Sequence, residues 1–262
     1  MTTSEKFNLI IQLSIPSILA QITTVLMFYI DAGMVGSLGA EPAAAIGLVE
    51  PATWLFFSLI GAVTMGFSVQ AAHFIGAKDF SKARSVMRHG YAFGLCFALC
   101  FLLVTVLIAP YLPIWLRGGK DIQHDASTYF LIFSFIIPFH LLEVMSASML
   151  KVSGDMRRPS LMAILMCVLD VIFNYFFIFP THDITLLGLQ VTVPGWGAGV
   201  AGAAFGSLLA FIAVALPLAY YAIFRSPILA WKLDVERFVW RWQYIWNAMK
   251  IGSPMALQYL LM

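Results

Sequence analysis

Six long apolar runs separated by short polar connectors set the pattern of this chain, at 10–38, 43–74, 87–116, 127–150, 160–180 and 197–224. Each reaches the roughly 20 residues that a helix needs to cross the hydrocarbon core of a bilayer. Lipid offers backbone amides no hydrogen-bond partner, so runs of this length must be helical. The alternating ten-residue segments of a β-barrel are absent. The first run is too long for a signal-peptide core and lacks a basic start, which makes it helix 1 of the mature chain. The pattern predicts an all-α, polytopic membrane protein.

The connectors alternate in character. One set holds "GAKDFSKARSVMRHG" (76–90), "KVSGDMRRP" (151–159) and the stretch 225–250; the other holds 39–42, 117–126 and 181–196, rich in Gly, Pro and acid. With the N-terminus inside, the inner set carries Lys6, Lys78, Lys82, Arg84, Arg88, Lys151, Arg157, Arg158, Arg225, Lys232, Arg237, Arg241 and Lys250, and the outer set only Arg117 and Lys120, a split of 13 to 2. This asymmetry predicts a cytoplasmic N-terminus, with both ends of the six-helix set on the cytoplasmic side. Six of the seven Trp (115, 196, 231, 240, 242 and 246) fall outside span centres, as interfacial anchoring expects.

Two segments follow the sixth run. In "WKLDVERFVWRWQYIW" (231–246), Val235, Phe238, Val239, Trp242 and Trp246 recur at helical spacing with Lys232, Arg237 and Arg241 between them. The spacing predicts an amphipathic helix on the inner leaflet, within a linker over 225–250. A seventh apolar segment covers 251–262; at about 1.5 Å per residue its length falls short of a bilayer core of about 30 Å. Aligning Pro254 with Pro16 sets Ile251 on Leu13 and Leu257 on Leu19, an echo of helix 1. Residues 1–224 thus read as one six-helix lobe of a duplicated transporter, and 251–262 as the start of helix 7.

Composition narrows the function. The chain is 61% hydrophobic and 11% charged, with mean hydropathy +0.90, which excludes a water-soluble globule. No basic, aromatic-interleaved groove points to nucleic acid. Cys96, Cys100 and Cys167 lie within apolar spans and read as packing residues. No HExxH is present, and no metal or other cofactor is expected.

Chemistry concentrates in four acids at or within the apolar runs: Asp31, Glu50, Glu143 and Asp170. An ionised acid at mid-bilayer costs roughly 2.5–3.5 kcal/mol even on the mild insertion scale, so each is protonated, paired or wet. Asp170 and Asn174 are four apart on one helical face. That face either holds a proton, a sodium ion or a cationic substrate, or forms an interhelical hydrogen bond that only packs the helix. Asp31, in "MFYIDAGMVGSLG", is either wetted at the mouth of helix 1 or a working acid in its outer half. Glu50 precedes Pro51 near the start of helix 2, where the helix dipole favours an acid as a cap. His140 and Glu143, three apart, form a candidate polar pair lining a cavity.

The connectors and span ends resemble the multidrug and toxic compound extrusion family. "PSILAQITTVLMFYIDAGMVGSLG" is similar to its first helix, and "GFSVQAAHFIGAKDFSKA" (66–83), "GDMRRP" (154–159), "NYFFIF" (174–179) and "GAGVAGAAFGS" (197–207) follow in the family's order. The resemblance implies a transporter of twelve helices in two pseudo-twofold lobes, exporting organic cations or drugs against inward H⁺ or Na⁺. The chain would then be the N-terminal lobe, with the C-terminal lobe as its missing partner and no transport of its own. Asp31 would be the family's coupling acid. Asp170 followed by Asn174 reverses the family's Asn-then-Asp order, and Phe179-Pro180 replaces its Phe-Gly. Phe28, Tyr29 and Tyr175 would flank a lipophilic cation beside His140 and Glu143. A lipid-linked oligosaccharide flippase of related architecture needs cationic residues inside its cavity, and no Lys or Arg lies mid-span. An intramembrane enzyme needs a catalytic set that only His140 and Glu143 approach.

Overall fold

Two Asp-started turns show how local sequence builds the bundle. After the helix that ends at Gly76, Lys78 takes a left-handed conformation (φ 60°) and the Asp79 N–H donates back to the Phe74 carbonyl at 2.8 Å. After the helix that ends at Val152, Gly154 does the same (φ 92°) and the Asp155 N–H reaches Leu150 O at 2.9 Å. Each Asp then caps the next helix, accepting from the backbone N–H of Lys82 and of Arg158, both at 3.2 Å. Each also pairs with the side chain three residues on. The Lys82 ammonium bonded to Asp79 holds that carboxyl below its ordinary range. Its contribution is therefore present above the free-carboxylate value and lost as pH falls through the lower one. These turns are the "AKDFSK" and "SGDMRR" connectors, one fold of chain used twice.

The computed structural model describes residues 3–186, 189–233 and 239–261. In chain order the elements are α1 (Thr3–Gly36), α2 (Ala40–Gly76), α3 (Phe80–Ile108), α4 (Leu112–Trp115), α5 (Lys120–Ser134), α6 (Ile136–Val152), α7 (Arg157–Ile178), β1 (Pro180–Leu186), β2 (Leu189–Trp196), α8 (Gly199–Tyr220) and α9 (Trp242–Leu261). A π-helical turn, Tyr221–Arg225, extends α8, and a 3₁₀ turn covers Trp231–Leu233. Segments of α1, α2, α3, α7 and α8 are long and apolar enough to cross a membrane, and α5 and α6, bent by 43° to one another, are so only as a pair. The chain is a multi-pass, predominantly helical membrane protein.

The bend has a local cause. Pro138 has no N–H to give the Ser134 carbonyl four residues earlier, and the helix breaks at Phe135. Gly39 (φ 122°) makes the turn from α1 into α2 in a conformation that only glycine adopts freely. The largest core lies at the basic end. There Phe67 of α2, Met87 of α3, Met145 and Met149 of α6 and Leu218 of α8 enclose Leu229, Tyr244, Ile245 and Ala248. Inside it the Tyr91 hydroxyl meets Ser146 Oγ at 2.6 Å.

Four expectations change. The connector 181–196 forms an antiparallel hairpin, Pro180 pairing with Trp196 and Leu186 with Leu189, with a bulge between Pro180 and His182. There the Thr181 hydroxyl bonds both the N–H and the carbonyl of Gly195, each at 3.1 Å. Glu50 is not at a helix start: α2 begins ten residues earlier with Glu41 in its first turn, and Glu50 is exposed with its carboxylate accepting from Trp54 Nε1 at 3.3 Å. A continuous amphipathic helix over 231–246 does not form: its turn ends at Leu233, residues 239–241 are not helical, and Val235, Arg237 and Phe238 lie outside the described residues. The backbone there is bonded instead to side chains of α3. The last helix starts at Trp242 rather than at Ile251, so residues assigned to a linker are its first turns.

The paired turns make opposite predictions. A left-handed non-glycine residue costs roughly 1–2 kcal/mol, so Lys78→Gly should raise stability by about 1 kcal/mol. Gly154→Ala, with nothing within 4 Å of the added carbon, should lower stability by about 1 kcal/mol through backbone strain alone. Thermal unfolding in one detergent checks both signs.

Candidate functional site

Three elements far apart in sequence bring Asp31, Asp170 and Asn174 together. On α7 the i, i+4 spacing puts Asp170 and Asn174 on one face, while Val168, Ile172 and Phe176 on the others are exposed. Asp170 is 0% and Asn174 1% exposed. Asp31, half-buried on α1, completes the group. Asn174 Nδ2 donates to Asp31 Oδ1 at 3.0 Å and to Asp170 Oδ2 at 3.0 Å. The two N–H bonds of one carboxamide thus bridge two carboxyl groups. The Asp31 carboxyl and the Ser207 hydroxyl of α8 both approach Asp170.

The amide's orientation is set from α8. A Cβ on Gly206 would lie 2.1 Å from Asn174 Oδ1 and 2.8 Å from its backbone N, so no side chain fits there. One turn earlier, a Cβ on Gly202 would lie 2.3 Å from the Phe177 carbonyl oxygen. This small-xxx-small face lets α8 approach α7 backbone to backbone. Asn174 Oδ1 rests against it and Nδ2 turns to the acids. Asn174 Oδ1 and Asp170 Oδ1 are buried without hydrogen-bond partners, a costly condition in a low-dielectric interior. Among the described residues no Lys or Arg forms an ion pair with Asp31 or Asp170. Two carboxyl groups sharing one amide, with two oxygens lacking a donor and no Lys or Arg paired to either acid among the described residues, make a group suited to hold a proton or a small monovalent ion.

The remaining candidates lie elsewhere. His140 stacks on Phe57 of α2 (ring centroids 4.0 Å, 19°) and meets Phe211 of α8 edge-on at 5.6 Å. Its Nδ1 is 3.9 Å from Glu143 Oε2 and has no hydrogen-bond partner. No hydrogen bond, ion pair or ring contact joins this pair to the Asp31 group among the described residues. Phe28 packs at 5.0 Å against Trp54, Tyr29 is 74% exposed, and Tyr175 is half-buried with its ring 5.3 Å from Phe179. Tyr129 of α5 lies within electrostatic reach of Asp31, Glu50 and Asp170. Gly206, Ser207 and Tyr129 escaped the sequence reading. The signal for the first was the Gly202-to-Gly206 spacing inside "GAGVAGAAFGS".

Comparison with known proteins gives a consistent picture. The MatE family model matches residues 16–176. A probable multidrug resistance protein NorM of Neisseria meningitidis is 25% identical over 98% of this chain and 54% of its own length. That of Thermotoga maritima is 23% identical over 95% and 51%. The chain therefore spans about half the length of the curated relatives it matches. Among solved structures, an outward-facing multidrug resistance MATE family transporter of the MOP superfamily aligns with TM-score 0.84 at 23% identity, covering 97% of this chain and 53% of that one. A MOP superfamily transporter from Pyrococcus furiosus aligns with TM-score 0.84 at 24% identity, with the same coverage. These two alignments show the fold.

The α7–α8 contact carries its own prediction. Gly206→Ala should destabilise the chain by about 1–3 kcal/mol through overpacking. Because the clash falls first on the Asn174 side chain, Asn174→Ala should recover part of that loss in the double variant, a coupling that a thermal-unfolding cycle measures.

Proposed function

The chain belongs to the MatE family, a family of multidrug efflux transporters, and from that premise we propose that it is the N-terminal lobe of a secondary antiporter. The transporter exports organic cations or drugs in exchange for H⁺ or Na⁺, and Asp31, Asp170 and Asn174 form the coupling site. The observation that carries the reading is the Asn174 carboxamide bonded at 3.0 Å to each of two acids from different helices, inside a span where an unbalanced charge is costly.

The charge arithmetic supports exchange. With a proton or a sodium ion between Asp31 and Asp170, the group loses a negative charge and its spare oxygens gain a partner. When that ion leaves, the pair presents negative charge to an organic cation. Ion and drug then oppose one another by favouring different members of one conformational equilibrium, and the effect is reciprocal. Phe28 and Tyr29 on α1 and Tyr175 on α7 are the aromatic faces offered to a lipophilic cation. In this reading the Lys- and Arg-rich end faces the cytoplasm of a bacterial inner membrane. The lobe alone has nothing to rock against and does not transport. An anionic, lipid-linked substrate is disfavoured because no Lys or Arg lies mid-span to receive it.

Assayed within the full-length transporter, Asp31→Asn should abolish drug efflux and ion exchange while leaving the protein folded. Efflux assays in cells and ion-flux assays in liposomes check this. Intact coupling in the variant sinks the assignment.

A further inference from the structure

The segment after α8 is held by its backbone. Arg84 Nη1 donates to the Ile228 carbonyl at 3.0 Å and Arg88 Nη2 to that of Trp231 at 2.8 Å. His89 Nε2 accepts the Arg241 backbone N–H at 2.8 Å, while its Nδ1 bonds Ser85 O at 2.7 Å. Gln70 Nε2 donates to Tyr244 O at 3.0 Å and to Gly66 O, on its own helix, at 3.1 Å. Three side chains of α3 and one of α2 thus grip four main-chain groups between 228 and 244. Such bonds fix the path of a segment whatever side chains it carries.

One turn past this grip, α9 crosses α2 without interlocking side chains. A Cβ on Gly66 would lie 2.1 Å from Ala248 O, and one on Gly252 would lie 2.5 Å from Ala62 O. Full burial on α9, among the described side chains, ends at that crossing. Tyr244, Ile245 and Ala248 are buried, as is Gly252, whereas Met255 and Ala256 are half-buried and Ser253, Pro254, Leu257 and Gln258 are exposed. Pro254 has no N–H for the Lys250 carbonyl, which accepts from Ser253 Oγ at 3.5 Å. Glycine and proline together weaken α9 at the point where its full burial ends.

We propose that residues 226–233 and 239–249 act as a strap that pins the base of α9 to α2 and α3, and that the Gly66–Gly252 crossing is a pivot on which α9 beyond Gly252 turns. Smooth backbone-to-backbone contact permits rotation where interdigitated side chains lock it. The proposal stands on the α2–α9 geometry and does not depend on the reading of the acid site.

Spin labels on the whole chain in lipid nanodiscs test it, with Cys96, Cys100 and Cys167 replaced by Ala. One label replaces exposed Leu107 on α3, and its partner replaces either Trp246 at the base of α9 or Leu257 beyond the pivot; all three are more than half exposed. The Trp246 pair should give a narrow distance distribution and the Leu257 pair one at least twofold broader. Equal widths overturn the proposal: both narrow means α9 is rigid throughout, and both broad means nothing pins its base. Gln70→Ala with His89→Ala should broaden the Trp246 pair about twofold, and an unchanged width in a folded variant overturns the strap. Arg84→Lys with Arg88→Lys, which keeps the charge, is a second such variant should the first fail to fold.

Discussion

The seat of one carboxamide oxygen on one glycine orders this molecule. Asn174 Oδ1 lies where Gly206 would carry a side chain, so the amide turns its two donors toward Asp31 and Asp170. With any larger residue at 206, α7 and α8 could not approach so closely. Gly202 repeats the contact one turn away against the Phe177 carbonyl. In a bilayer, lipid tails are as apolar as leucine, so helices gain little from burying apolar surface against each other. Close packing and polar contacts between helices hold them together. The α7–α8 pair supplies both at the same residue.

That economy makes the site an uneasy structural element. A carboxamide bridging two acids satisfies both of its donors but leaves its own oxygen and one oxygen of Asp170 without partners. Were packing the only demand on α7, an apolar face would meet it at lower cost, since buried polar groups stabilise only when fully satisfied. The shortfall is of donors, which a cation or a proton answers and a further acceptor does not. Asp31 sits at the edge of this group, half-buried, so it links the enclosed pair on α7 to the outside of the bundle.

What was legible in the sequence is what one-dimensional periodicity encodes. The six spans, the basic connectors and the shared face of Asp170 and Asn174 follow from spacing. Pro138 was in plain view four residues after Ser134, yet the bend at Phe135 was absent from a reading by hydropathy, which scores a bent pair like a straight span. The hairpin was hidden by its Gly and Pro, although "DITL" and "LQVTV" alternate as strands do. The amphipathic pattern of 231–246 pointed to a membrane surface because sequence cannot show Gln70, Arg88 and His89 reaching for that segment's backbone. The meeting of Asp31 with Asn174, 143 residues apart, depends on how α1 lies on α7, and neither helix states that alone.

Glycine has opposite consequences at the two ends of the bundle. At Gly206 the partner is a side chain with a direction, so close approach fixes one orientation and the contact is rigid. At Gly66 and Gly252 the partners are backbone atoms of Ala248 and Ala62, so close approach leaves a smooth crossing with no preferred register of side chains. One element touches both regions. α8 carries Gly206 against the amide, and three turns on it places Leu218 in the core that holds Leu229, Tyr244 and Ile245. A displacement of α8 that unseats Asn174 must therefore disturb the packing under the strap, because dense cores shift between discrete arrangements instead of deforming smoothly. The π-helical turn Tyr221–Arg225 lies between Leu218 and Leu229, where a helix already departs from its regular bonding.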